Sequence, residues 1–248
     1  MQAVPKLCSA FFCVVFFLLS VAQAIGQSSV SNIVTLRFGV VPQQSATRLA
    51  RTWTPIFRYL GEKTGYRIIF QTAKDIPTFE KRCAGGEYDI TFMNPYHYTV
   101  FHDNPGYLVF AKENISRLYG IIVVKADSPY RTLYALEGQK IAFPSPAAFA
   151  ASILTRAHLV DQGIKFTPLF VSSHDSVYLS VAKGLFAAGG GVPRTFNNMP
   201  KEIKQQLRII WKSKSYPSHA LSAHPRISAH IVAALKSAMV GMKADPQG

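Results

Sequence analysis

A chain of 248 residues, 48% apolar and 16% charged, is long enough to bury one or two substantial cores, and 3 cysteines are too few for a disulfide scaffold. The formal charge of +14 is high, yet the 27 Lys and Arg are scattered, with no run of five and no basic stripe interleaved with aromatics. Nucleic acid is therefore not an expected partner, whereas a field of this sign draws small anions.

The opening segment reads as an export signal. Lys6 supplies the positive charge, Leu7 to Ala22 is almost wholly apolar, and Ala22-Gln23-Ala24 is a small-x-small cleavage site. That apolar run falls short of the roughly 20 residues that a membrane span needs. Cleavage is expected after Ala24, leaving a mature chain in the periplasm, with no later segment long and apolar enough to cross a bilayer. Loss of Lys6 leaves 26 basic and 13 acidic residues, a net +13. Cys8 and Cys13 leave with the signal, so Cys83 stands alone and is expected to be a packed thiol with no base beside it.

Thr35 to Val41 is a run of β-formers that stops at Pro42, which has no N–H to pair. Leu49, Trp53, Ile56, Phe57 and Leu60 then recur at helical spacing, with Gly61 and Gly65 closing the helix. Strands are predicted at 66–71 and 88–92, each followed by a helix, then at 107–112 and 118–125. After the Asp127-Ser128-Pro129 turn the alternation restarts: strand 138–143, helix 147–162, strand 165–171, helix 175–183. Asn197 to Gln206 reads as a helix, Leu207 to Trp211 as a strand, and Pro225 to Met242 as an amphipathic helix.

Two alternating blocks imply an α/β protein of two lobes, each a mainly parallel sheet flanked by helices. The spacing assigns residues 34–116 with 216–248 to the first lobe and 117–215 to the second, with crossings near 114–119 and 212–218. Such sheets bind ligands beyond the carboxyl ends of their strands. Gln43, after the first strand, offers an amide there or is an ordinary turn residue. Asn94 and Tyr96, in the loop after the third strand, are favoured over His97 and Tyr98 as site residues. Two helix starts, after Ser145 and after Ser173, present amides suited to an anion. His174 either faces that anion or, with Ser173, caps its helix, and Asp175 is assigned to capping. In Gly189-Gly190-Gly191-Val192-Pro193-Arg194 the glycines permit close backbone approach. Arg194 offers a fork for carboxylate or phosphate, or else lies in solvent.

Several stretches taken together resemble the phosphate, phosphite and phosphonate substrate-binding proteins of ABC transporters, a branch of the type II periplasmic binding fold. They are FGVVPQQ from Phe38, GEYDITFMNPYHY at 86–98, GIIVVKADSP at 120–129, LEGQKIAFPSP at 136–146 and SSHDSVYLSVAKG at 172–184, in the family's order. The resemblance implies a small anionic solute held between the lobes of a monomer and delivered by closure to an ABC permease in the membrane. It also implies a Ser-Thr-Ser-Gly cradle where this chain has Ala148-Phe149-Ala150-Ala151, so only backbone donors and Ser145 remain at that helix start. Relatives that take aminophosphonates place a carboxylate near the position of Arg194, and a basic residue here argues against an amino-bearing ligand. Relatives also continue beyond the point corresponding to Gly248, so either the protein is trimmed there or the sequence is incomplete, and missing segments would leave apolar surface of the first lobe uncovered.

A metal site is not expected, because His219, His224 and His230 do not share a helix face at these spacings. No cofactor is implied. The chain lacks a nucleophile elbow, a P-loop or a zincin motif, so no catalytic residues are assigned and an enzyme is not expected. The alternative is a sensing protein of the same fold that reports to a membrane sensor kinase.

Overall fold

The computed structural model describes residues 33–114 and 116–246, and the expected export signal with its cleavage after Ala24 lies outside them. In β1 (Thr35–Val40) Leu36, Phe38 and Val40 turn inward. α1 (Ala46–Thr64) starts at Ser45, whose hydroxyl accepts from the Arg48 amide, and ends at Gly65, left-handed with φ 72°. The helix runs through Gly61, whose carbonyl accepts from the Gly65 amide, so Gly65 alone is the stop. β2 (Arg67–Gln71), α2 (Ile76–Ala84), β3 (Ile90–Met93), α3 (Pro95–Asp103) and β4 (Leu108–Lys112) follow. Trp53, Phe57, Phe38 and Phe92 pack ring to ring at centroid distances of 4.6–5.5 Å between α1 and this sheet.

The second sheet is built from β5 (Ile121–Lys125), β6 (Lys140–Phe143), β7 (Thr167–Phe170), β8 (Ala188–Gly191) and β9 (Leu207–Lys212). Its helices are a π-helix (Phe149–Leu154) running into α4 (Thr155–Asp161), then α5 (His174–Ala182), α6 (Pro193–Asn197) and α7 (Lys201–Gln205). The chain then returns through β10 (Ala220–Ala223) to α8 (Ala229–Gly241), whose Ile231 and Leu235 are buried with Leu36, Phe38 and Leu60 of the first lobe.

Both sheets follow one plan. The first has the order β2-β1-β3-β10-β4 and the second β7-β6-β8-β5-β9. In each, one strand runs against its two neighbours, β10 in the first and β5 in the second, and the remaining strand pairs are parallel. Those two reversed strands are the ones entered directly from the crossings. The crossings bond to each other: the Leu118 and Tyr216 amides each donate to the other's carbonyl at 2.9 Å, and the Gly120 amide donates to Ser213 Oγ at 2.9 Å. Residues from Val34 onward cluster as one compact unit.

Three sequence expectations change. The predicted helix 197–206 shrinks to α7 (Lys201–Gln205): the separate helix α6 has already ended at Asn197, and Pro200, which has no N–H, disfavours helical backbone at Met199. β8 and β10 were not foreseen, because Ala-Gly-Gly-Gly and Ala-Leu-Ser-Ala carry neither β-branched residues nor alternation. The predicted helix at 147–162 opens instead as a π-helix, the Ile153 amide reaching back to the Ala148 carbonyl at 3.3 Å.

Candidate functional site

The carboxyl ends of β1 and β3 face those of β6 and β8 across a closed cleft. Gln43 follows β1, Asn94 follows β3, Ala148 lies beyond β6, and Arg194 sits in the first turn of α6 beyond β8. Polar contacts cross the gap directly. Arg194 Nη2 donates to Gln43 Oε1, Asn94 Nδ2 donates to the Ala147 carbonyl at 3.3 Å, and Arg48 Nη1 donates to the Asn198 carbonyl at 3.0 Å. An apolar cluster spans the same gap, with Val41 and Ile76 from the first lobe against Ala148, Ala150, Ala151 and Val192 from the second.

The cleft holds two adjoining cavities. The inner one, about 10 Å³, lies among Gln43, Asn94, Ala148, Phe149, His174 and His219, with room for about one water. The outer one, about 150 Å³, opens toward the crossings and is lined by Gln43, Phe92, Glu113, Arg117, Arg194 and His219. The carbonyls behind the inner cavity fix its shape. A Cβ on Gly190 would sit 2.1 Å from the Ala151 carbonyl, and one on Gly120 would sit 2.4 Å from that of Ala150. The glycine run therefore serves close approach of the π-helix and, at Gly191, of Tyr178 to the sheet.

Each polar wall residue is held from behind. Asn94 caps α3, its Oδ1 accepting from the His97 amide at 2.7 Å. Ser173 is the cap of α5, so His174 occupies the first helical position, 1% exposed, with Nδ1 3.3 Å from Thr195 Oγ1. Thr195 in turn meets the Tyr178 hydroxyl at 2.9 Å. Burial, helped by the Arg194 charge, pushes His174 down to about 3. Burial takes His219 well below the usual imidazole range, with Arg194, His97 and His174 adding to it. Burial also pulls Arg194 down, which Glu113 opposes, and a guanidinium remains charged regardless.

Of the residues singled out in the sequence, Gln43, Asn94, Ala148, His174 and Arg194 line these cavities. Tyr96 does not: it is 40% exposed on the outer side of α3, and the same helical turn buries His97 2.8 Å from Glu80 instead. Ser145 is buried behind the wall rather than in it, its hydroxyl without a partner among the described residues. Asp175 makes no capping bond through its buried Oδ1, and burial raises its carboxyl. His219 was set aside with the metal reading, yet it borders both cavities, 4% exposed and stacked on Phe92 at 4.9 Å. Its position just before the unforeseen β10 is what hid it.

The model of the family described as ABC transporter, phosphonate, periplasmic substrate-binding protein matches residues 38–248. The chain belongs to that family. It is similar to the phosphate-import protein PhnD of Mycolicibacterium smegmatis, with 23% identity over 226 residues covering 82% of this chain and 70% of that one. Among solved structures, PhnD1 from Prochlorococcus marinus in complex with methylphosphonate superposes with a TM-score of 0.78 at 16% identity, covering 86% of each chain. A binding-protein component of an ABC phosphonate transporter from Pseudomonas aeruginosa gives 0.77 at 16% identity, covering 87% of this chain and 77% of that one. The family's proteins are extracytoplasmic transport components rather than enzymes, and this assignment does not favour the sensor-kinase reading.

Proposed function

We propose that this protein binds a small phosphorus oxyanion of the phosphate, phosphite or phosphonate class between its lobes and hands it to an ABC permease. It does so without catalysis, as a monomer and without a cofactor. The observation that carries this reading is the charged, desolvated Arg194, which enters a closed interlobe cleft beside Gln43, His174 and His219. The lobes comprise residues 34–116 with 216–248, and 117–215, hinged at the bonded crossings around Leu118 and Tyr216. Opening separates Arg194 from Gln43 and exposes the outer cavity, and a solute bridging both closes it again. Export through cleavage after Ala24 places this cycle in the periplasm.

The test is thermal unfolding of residues 25–248 against phosphate, phosphite, methylphosphonate, sulfate and small carboxylates. A ligand that binds the folded state alone raises the midpoint with concentration. A rise with one phosphorus anion is the expected result; a cooperatively folding sample that responds to none of them overturns the reading.

A further inference from the structure

Donors dominate the walls of the cleft. Arg194 brings a guanidinium group to the outer cavity, which Arg117 also borders, and the first turn of the π-helix brings amides to the inner one. Acceptors are few, and two are engaged: Gln43 Oε1 accepts from Arg194, and Glu113 accepts from Ser116. His219 differs from both. Its Nε2 is buried without a hydrogen-bond partner among the described residues, on a ring that borders both cavities and is fixed by its stack on Phe92. An orphaned buried nitrogen forfeits its solvation unless something meets it.

We propose that the cleft takes oxyanions carrying one negative charge and one hydroxyl, and that His219 is the ligand contact that reads the hydroxyl. This rests on the solute-binding reading above and narrows its ligand. Arg194 holds the charged oxygens, while Nε2 of a neutral His219 accepts a hydrogen bond that the hydroxyl donates. A fully deprotonated tetrahedral oxyanion has no hydrogen to give. It would turn lone pairs toward Nε2 and bring a second charge into a cavity that already contains Glu113.

The groups facing His219 come from every side of the cleft: Arg194 on α6, Arg117 and Tyr119 on the crossing, Glu113 after β4, and His174 on α5. His97 on α3 also acts on it, and is itself 2.8 Å from Glu80. Burial keeps both His174 and His219 neutral at neutral pH. Between about pH 6 and 9 the ligand is therefore the partner that changes charge, since phosphoryl groups lose their second proton near neutrality, at about pH 6 for a phosphate ester.

The experiment is calorimetric titration of the mature chain with methylphosphonate and with methanesulfonate at a series of pH values over that range. Methanesulfonate has the same shape and one charge but no hydroxyl. Methylphosphonate affinity should fall about tenfold per pH unit above its second ionisation. Methanesulfonate should bind at least about tenfold more weakly at the acid end and be flat with pH. His219→Phe keeps the ring stack and removes the acceptor, so it should bring methylphosphonate at the acid end down to the methanesulfonate level. His219→Gln, whose carbonyl restores an acceptor, should recover part of the difference and serves as the readout if the Phe variant misfolds. Methylphosphonate affinity that holds or rises with pH overturns the proposal, as does His219→Phe binding like the parent. Failure of every phosphorus anion at every pH overturns the solute-binding reading itself, a distinct result.

Discussion

Arg194, from the second lobe, donates to the side-chain carbonyl of Gln43, from the first, and its guanidinium lies 5.8 Å over the Phe92 ring. The two residues are 151 positions apart and follow strands of different sheets, so this bond ties the two sheets together across the cleft. Hydrogen bonds to a charged group contribute about 1.5–3 kcal/mol each. Arg194→Ala should weaken binding of a small oxyanion at least about tenfold with the unfolding midpoint little changed. Arg194→Lys should fall between, keeping the charge but not the fork. Calorimetric titration checks both, and unchanged affinity in the alanine variant removes Arg194 from the site.

Gln43→Glu tests the other half of the pair. A carboxylate there would form an ion pair with Arg194, strengthening the interlobe contact while cancelling the charge that attracts an anion. The expected outcome is a midpoint equal to or above that of the parent, with anion affinity reduced at least about tenfold. A variant that binds anions as well as the parent would show that the ligand does not use this side of the cleft.

Gly190 is predicted to be the least replaceable glycine of the second lobe. A methyl group there meets a backbone carbonyl at 2.1 Å and the Phe143 ring at 2.6 Å, and neither has a flexible end to swing away. Gly190→Ala should cost about 1–3 kcal/mol as overpacking. It should also weaken anion binding, because the π-helix it displaces forms the wall of the inner cavity. Gly241→Ala, near the end of α8 with open space around it, should instead be neutral or stabilise by up to about 1 kcal/mol. Chemical unfolding of both variants separates close packing from glycine content.

The sequence disclosed the fold wherever burial was written as pattern. Leu36, Phe38 and Val40 alternate, and Leu49, Trp53, Phe57 and Leu60 repeat with the helix, so β1 and α1 could be read directly. The strand that pairs with both β5 and β6 could not, because β8 is buried on both faces by neighbours that leave no room for side chains. The site divides along the same line. Residues at the ends of legible strands, Gln43, Asn94 and His174 among them, fell where the topology rule puts them. Tyr96 was misplaced because helical rotation after Pro95 turned His97 inward, a choice decided by Glu80 and Phe79 from α2. His219 follows a crossing whose destination strand has no sequence signature, so its approach to Phe92 was a purely tertiary fact.

The buried histidines make stability depend on pH. His174 is held near 3 in the folded protein and returns to about 6.5 when unfolded. Its folded pKa is depressed, so the unfolded chain takes up a proton between those values that the native chain refuses. Stability is thus fully present above pH 6.5 and is lost as pH falls toward 3, at about 1.4 kcal/mol per pH unit while the difference is one proton. His219 acts in the same direction. His174→Gln should flatten the decline of the midpoint below pH 6.5, as read from thermal unfolding across that range; a decline as steep as the parent's would mean that His174 is not protected from protons.

Asp89 accounts for how the returning chain is fixed to the first lobe. Its carboxylate accepts from the Arg37 amide at 2.7 Å on one oxygen and from Arg226 Nε at 2.7 Å on the other, while Arg226 Nη1 donates to the Gly86 carbonyl at 2.6 Å. One side chain thereby joins β1, the entry to β3 and the segment leading into α8. Burial pushes the Asp89 carboxyl up, but the Arg37 amide and the two guanidinium groups outweigh it and hold the group below the usual carboxylate range. Asp89→Asn should cost about 2–3 kcal/mol at neutral pH, less than for a fully buried pair because both arginines are partly exposed to water. The sign with pH is fixed by the depressed folded value. The contribution is whole above the ordinary value of 3.8 and is lost as pH falls through the folded one, so parent and variant should converge in acid. Unfolding midpoints of the two proteins at neutral pH and near pH 3 decide it. A gap that stays constant would assign the effect to shape rather than charge, and no gap at neutral pH would mean that α8 is held by its apolar face alone.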